Sequence, residues 1–386
     1  MLKKLSLAAL VAMGGMSVAS ATPLTDAIKN VDLSGFLRIR FYHEDNTDKN
    51  KATNYYGTAY DRWRTNAVLI FKVPVDENIK FVMRNSVESN VYTTDEDLVK
   101  SKNSSVDTTI VNNLLFLQYS NGPVNAIVGK IPVATPITSA DPAKPGHGAG
   151  LIASYKINDN VTVAGAFVDA LKLGTSNIPN TIVIGNDLYA AAAIFNTDMV
   201  KGNVWAYKIL GLSKHIYTTT LNFVPVKNTT LRVDYASGKN ENSTKTHTYY
   251  NVTGKYTNNN FSILAGYAKT NEDPGFVETS DDAPIGDVIP TENNSNIANK
   301  QDVSAVYGKL GYNVDAKTNV YLAAQAQNAG DDAPNKNNDL KEYTIGVKYK
   351  YNKKLGFHIY YDIANWDDEA TYADNNEFRF EAKYKF

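Results

Sequence analysis

Residues 375–386 read NNEFRFEAKYKF, with Phe378, Phe380, Ala382, Tyr384 and Phe386 at every second position and Arg379, Glu381, Lys383 and Lys385 between them. Side chains of a strand alternate between its two faces, so this segment has one apolar face and one heavily charged face. A transmembrane β-barrel needs that division: the apolar face meets lipid and the charged face meets a water-filled lumen.

Seventeen other segments carry related patterns. The candidate strands are 31–42, 60–73, 78–90, 111–120, 123–130, 148–157, 160–169, 187–196, 202–210, 214–224, 228–237, 246–257, 260–270, 302–313, 317–327, 340–351, 354–366 and 376–386. The cleanest put Leu355, Phe357, Ile359, Tyr361 and Ile363 on one face and Gly356, His358, Tyr360 and Asp362 on the other. In 187–196 and 302–313 both phases are apolar enough to face lipid, so sixteen strands is the alternative count.

The connections sharpen the picture. Every second one is short and turn-like (VDEN, SNGP, NDN, FNTDM, PVKN, TNNN, NVDAK, YNKK), rich in the Asn, Asp, Gly and Pro of tight turns. The intervening ones are mostly long and polar, near 43–59, 91–110, 131–147, 170–186, 238–245, 271–301, 328–339 and 367–375, with a short exception at 210–214. A secreted β-sandwich or solenoid also alternates along its strands, but predicts no such alternation of connections. The expected fold is therefore all-β, an antiparallel barrel with short periplasmic turns and long extracellular loops.

Lys3 and Lys4 precede an apolar run from Leu5 to Val18 and then Ala19-Ser20-Ala21, the pattern of a secretory signal peptide. The run is shorter than the ~20 apolar residues a spanning helix needs. Cleavage after Ala21 is expected, leaving 22–386 as one outer-membrane barrel domain. Residues 1–21 hold two lysines and no acid, so 39 basic against 40 acidic residues become 37 against 40, a net charge near −3. That balance argues against nucleic acid as a partner. The chain has no cysteine, so export must proceed without disulfides.

A pore works through the charges on its lumen face. Of seven arginines, Arg38, Arg40, Arg62, Arg64 and Arg84 fall in the first three strands and Arg379 in the last. Closure of a barrel would make those four strands neighbours, and alternation turns the arginines inward against lipid-facing Leu37, Ile39, Phe41 and Trp63. We expect a basic wall on one side of the channel. Residues 131–148, IPVATPITSADPAKPGHG, are the candidate for a loop folded into the pore. Their four prolines stiffen the segment, and Asp141, Lys144 and His147 are its charged or titratable groups. Other acids, Glu272, Asp273, Glu278, Asp281, Asp282 and Asp287, then Asp331, Asp332 and Asp339, then Asp367, Asp368 and Glu369, are expected as solvated surface of outer loops.

The stretch ATPLTDAIKNVDLSGFLRIRFYHED (21–45) resembles the opening of the Campylobacter-type major outer membrane porins of the epsilonproteobacteria. LFLQYSNGPVNAIVGK (115–130), VTVAGAFVDA (161–170) and the closing YKF are similar to the same family. The resemblance implies eighteen strands, a homotrimer, an inward third loop and a calcium site at the constriction. Asp141 and Asp169 are the candidate carboxylates for that metal, and no other cofactor is implied. The ending with Tyr384 and Phe386 resembles the signal read by outer-membrane assembly machinery.

The functional expectation is a passive diffusion channel for ions and small hydrophilic solutes, weakly cation-selective, in contact with outer-membrane lipid and lipopolysaccharide. The alternative within the same class is an anion- or carboxylate-selective channel using the arginine wall. A barrel enzyme is disfavoured, because His43, His147, His215, His247 and His358 have no recognisable nucleophile or paired carboxylate beside them in sequence. An adhesin or surface-antigen role is compatible with the long loops and can coexist with a channel.

Overall fold

The computed structural model of the chain describes residues 30–46, 59–93, 109–172, 186–334, 339–367 and 374–386. The signal segment, Asp368 and Glu369 lie outside the described residues.

The chain forms eighteen strands: β1 (Asp32–Asn46), β2 (Ala59–Pro74), β3 (Ile79–Thr93), β4 (Thr109–Asn121), β5 (Val124–Pro132), β6 (His147–Asn158), β7 (Val161–Lys172), β8 (Leu188–Asn196), β9 (Val200–Ile209), β10 (Ser213–Phe223), β11 (Thr229–Asn240), β12 (His247–Thr257), β13 (Phe261–Thr270), β14 (Val303–Asn313), β15 (Thr318–Ala329), β16 (Leu340–Lys350), β17 (Leu355–Trp366) and β18 (Asn375–Lys385). Each pairs antiparallel with its neighbours in sequence, and β18 pairs with β1 from Phe36↔Lys385 to Asn46↔Asn375. Gly35 and Phe386 complete the seam by exchanging N–H···O bonds of 3.1 and 3.2 Å. Closure leaves no sheet edge unpaired, as a hydrocarbon surrounding requires.

Eighteen strands and the β18–β1 closure match the expectation. The ends differ most in the first strands: β1 runs to Asn46, four residues past 42, because β2 and β18 supply partners to its end. Along β16, Leu340, Glu342, Thr344 and Gly346 are buried inward while Lys341, Tyr343, Ile345 and Val347 are exposed outward. Leu322, Val306, Ile263 and Ile359 extend that apolar outer surface around the barrel.

Four short turns share one device. Asp76, Asn158, Asp315 and Asn352 each accept, through the side-chain carbonyl or carboxylate oxygen, the backbone N–H groups two and three residues on, at 2.7–2.9 Å. The Asx side chain thus satisfies donors that the hairpin reversal would leave unpaired.

The lumen is crossed by two loops. The β5–β6 connection, residues 133–146, folds inward and is called L3. The β13–β14 connection, residues 271–302, does so as well and is called L7. This corrects the expectation of a solvated outer loop there: Glu278 is 1% exposed and Val277, Ala283, Ile285 and Ile297 are buried. They pack on Ala236, Tyr249, Ala268 and Tyr307 of the barrel's inner wall. L3 buries Val133 and Ile137 against Val168, Leu188, Trp205 and Tyr207. Burial under L3 explains why 187–196 reads as apolar in both phases, since Leu188 faces a protein core rather than water.

Candidate functional site

Six arginines come together on four adjacent strands, β18, β1, β2 and β3. Register sets Arg40 opposite Arg64 on β2 and Glu381 on β18, sets Tyr42 opposite Arg62 and Arg379, and sets Arg84 opposite Ile70. The Tyr42 ring lies between two guanidinium groups, with Arg62 Cζ 4.0 Å and Arg379 Cζ 4.4 Å from its centroid, while Arg40 Nη1 donates to its hydroxyl at 3.1 Å. Stacking on an aromatic face is suited to the planar guanidinium and fixes its orientation.

Each arginine has a defined partner. Arg40 Nε donates to Glu381 at 2.5 Å, Arg379 Nη2 to Glu377 at 2.7 Å, and Arg62 Nη2 to Glu44 at 3.4 Å; Arg64 Nε stands 3.1 Å from Glu88. Arg38 donates to Asp141 of L3 at 3.3 Å and to Asn66 at 3.1 Å. Arg84 donates to the L3 carbonyls of Pro142 and Ala143 at 2.5 and 3.3 Å. Six arginines are therefore set against five carboxylates: Glu44, Glu88, Asp141, Glu377 and Glu381. The wall is an ordered, nearly neutral lattice rather than a bare cationic field.

L3 is held on this wall. Lys144 shares Glu88 with Arg64, at 3.3 Å, and Ala143 packs on Phe36 and Val68. Burial pushes the Asp141 carboxyl up, but Arg38 and the Ala143 N–H overcome it and hold it below the usual carboxylate range. His147 opens β6 at the root of the loop, where Nδ1 lies 3.0 Å from the Pro145 carbonyl oxygen.

L7 meets L3 in mid-lumen. The Ala140 N–H donates to Asp282 O at 3.1 Å, Thr279 N–H to Ile137 O at 2.8 Å and Ile285 N–H to Pro136 O at 3.0 Å. Beyond that junction L7 is pinned to β16 and β17, the strands flanking the arginine wall at β18. The Asn293 and Asn294 N–H groups donate to Glu342 at 3.1 and 3.2 Å, and Asn293 Nδ2 donates to Asp362 at 3.0 Å. The remaining arginine, Arg232 on β11, donates to Pro284 O at 2.6 Å, as Arg84 does to Pro142 O on L3. At the base of L7, His247 approaches the carbonyl oxygens of Asp273 and Ala298, both at 2.8 Å, and so ties the two limbs together.

Asp282 sits where the loops join, close enough to Arg38, Arg40, Arg64 and Asp141 to feel their charge. Burial, then Asp141, raises its carboxyl above the ordinary range, and burial does the same for Asp287. Sequence patterning placed this acid on solvated loop surface because L7 reads as polar. Its signal was the run of Val277, Ile285, Val288, Ile289 and Ile297, more apolar residues than a solvated loop needs.

Asp141 and Asp169 are not brought together. Asp141 faces the lumen, bound to Arg38, whereas Asp169 is exposed near Tyr189, whose ring packs on Phe167 on the outer surface. The β6–β7 register shifts between Ala149 and Gly150, which displaces Asp169 from the ladder. This pair does not fit a calcium ion, which takes six to eight converging oxygens. The histidines engage in other contacts: besides His147 and His247, His43 pairs with Asp61 at 2.6 Å, His215 stacks on Tyr217 and His358 bonds Tyr321 at 2.7 Å.

Comparison with known proteins places this architecture. A family profile described as Campylobacter major outer membrane protein matches residues 1–386. No curated protein sequence matches the chain. Among solved structures, OccAB4 of Acinetobacter baumannii is similar with a TM-score of 0.71 at 13% identity, covering 92% of this chain and 98% of that one. The outer membrane protein opdK of Pseudomonas aeruginosa gives the same values. OpdO of Pseudomonas aeruginosa gives 0.72 at 12% identity, covering 94% and 99%. At such identities the likeness is one of fold.

Proposed function

Because the chain belongs to the Campylobacter major outer membrane protein family, and so is an outer-membrane β-barrel, we propose that it is a weakly cation-selective diffusion channel narrowed jointly by L3 and L7. The observation that carries this reading is the meeting of the two loops against a charge-paired arginine wall, with Asp282 at the junction. Ions and small hydrophilic solutes pass between ordered charges, and transport needs positioning rather than bond chemistry. The pairing of the arginines favours this over the anion-selective alternative, because a nearly neutral wall leaves the acids of L7 to set the sign. Single-channel conductance and reversal potential of the purified protein in a potassium chloride gradient test it. A potential favouring chloride would reject cation selectivity, and an inserted barrel without conductance would reject the channel.

The same reading includes assembly as a homotrimer, contact with lipopolysaccharide, and insertion by outer-membrane assembly machinery that reads the strand carrying Tyr384 and Phe386. Chemical crosslinking in native membranes, resolving one, two and three copies, tests the trimer.

The L7 acids give the selectivity a pH dependence. Asp282 and Asp287 have raised pKa values in the folded protein, so they take up protons above the range where free carboxylates do, while Asp141 stays charged. A raised folded pKa means the seated loop binds the proton more tightly, so seating strengthens as pH falls through that value. Over the pH range above that of ordinary carboxylates the preference for potassium should weaken as pH falls, while L7 stays in place. Reversal potentials across that range check this; no change until pH falls below the ordinary carboxylate range would assign selectivity to other acids.

A further inference from the structure

A second basic feature lies beyond the constriction, in the short-turn half of the lumen. Lys309 of β14 and Lys348 of β16 are on the inward phase of their strands, close to the turns that end them. Both approach the ring of Tyr321, Lys309 Nζ at 3.8 Å from its centroid and Lys348 Nζ at 5.4 Å. The ring is a fixed platform, only 3% exposed. It lies across Gly346, where an added Cβ would stand 2.4 Å from its Cζ. Its hydroxyl meets Glu292 Oε1 of L7 at 2.9 Å and His358 Nε2 at 2.7 Å. A carboxylate only accepts, so the hydroxyl donates to Glu292 and the His358 Nε2–H donates to the hydroxyl oxygen.

Glu292 is thereby engaged by Tyr321, and Glu381, the other nearby acid, is held by Arg40. Among the described residues neither lysine ammonium has a carboxylate within ion-pair distance. Lys255 of β12 is near enough to add its charge to theirs. Two like charges against one aromatic ring repel, and an anion bearing two charged oxygens would relieve that repulsion.

We propose that Lys309 and Lys348, spaced by Tyr321, form a binding site for small dianions such as inorganic phosphate or a dicarboxylate on the short-turn side of the constriction. The site rests on the channel reading for its access to solutes. It complements a weakly cation-selective constriction: cations enter freely, while a dianion lodges below and hinders their exit.

The test is potassium current through the purified channel in a planar bilayer, with phosphate or succinate titrated at about pH 7, where succinate is a dianion and phosphate substantially one, into one compartment at constant ionic strength. The expected result is a saturable block, stronger from the short-turn side. In K309Q/K348Q the block should weaken by about fivefold while the open-channel current persists, and K309R/K348R should retain it. Stronger block by phosphate than by succinate, or the reverse, identifies which dianion the site favours. Equal block in wild type and K309Q/K348Q, or block no stronger than that of added chloride, overturns the proposal. Loss of all current in the wild type would instead reject the channel reading, so the two failures are distinguishable.

Discussion

Replacing residues 272–301 with a short Asn-Gly turn should raise single-channel conductance by about threefold or more, because the width of a barrel is set by its strand number and its passage by what fills it. The excision is geometrically benign. The Asp302 N–H already donates to Asn271 O at 2.8 Å, so the ends of L7 sit side by side and a tight turn can join β13 to β14. The ladders of all eighteen strands remain, and Glu342, Asp362 and His247 would face water instead of loop groups. L3 would lose its partners at Pro136, Ile137 and Ala140 but keep Arg38, Arg84 and Glu88. Current noise should therefore rise with conductance as L3 loosens on one side only. A correctly folded barrel of unchanged conductance would show that L7 does not narrow the path.

The barrel was legible in the sequence because its determinants are local. Alternation in 375–386 and 354–366, together with Asx turns at Asp76, Asn158, Asp315 and Asn352, depends on residues two or three apart. The arginine wall was legible by one further step, since a closed barrel must set its last strand beside its first. What stayed hidden is long-range. That Arg40 meets Glu381, or that Asp282 lies among Arg38, Arg40 and Arg64, follows from how far a loop reaches into the lumen. No periodicity records that distance. The apolar lumen surface under L3 misled in the same way: Leu188 and Trp205 look lipid-facing until L3 is seen to cover them. The pairing of Asp141 with Asp169 fails on alternation itself, since Asp169 shares the outward phase of Val163 and Phe167 on β7 while Asp141 faces the lumen.

The carboxylates of the wall offer the sharpest test of what sets the sign of selectivity. In E44Q/E381Q each amide keeps a side-chain carbonyl that can accept from Arg62 or Arg40, so the lattice retains its shape while losing two negative charges. Six arginines would then face three carboxylates, Glu88, Asp141 and Glu377, in place of five. At separations near 8 Å in water each lost charge changes the energy of a passing ion by about 0.5 kcal/mol. Two together cost a potassium ion about 1 kcal/mol and favour a chloride ion by about as much, so the potassium-to-chloride permeability ratio should move by about thirtyfold before salt screens it, enough to turn a weak cation preference into an anion preference. Screening makes the effect larger in dilute salt, so reversal potentials in about 0.1 M and about 1 M gradients should diverge more in the variant than in the parent. Glu377 is left in place because it is buried beside Arg379 and Tyr360, where loss of its charge would confound stability with selectivity. An unchanged reversal potential in E44Q/E381Q would mean that permeating ions do not pass along the arginine wall, and would move the selective element to the L7 acids alone.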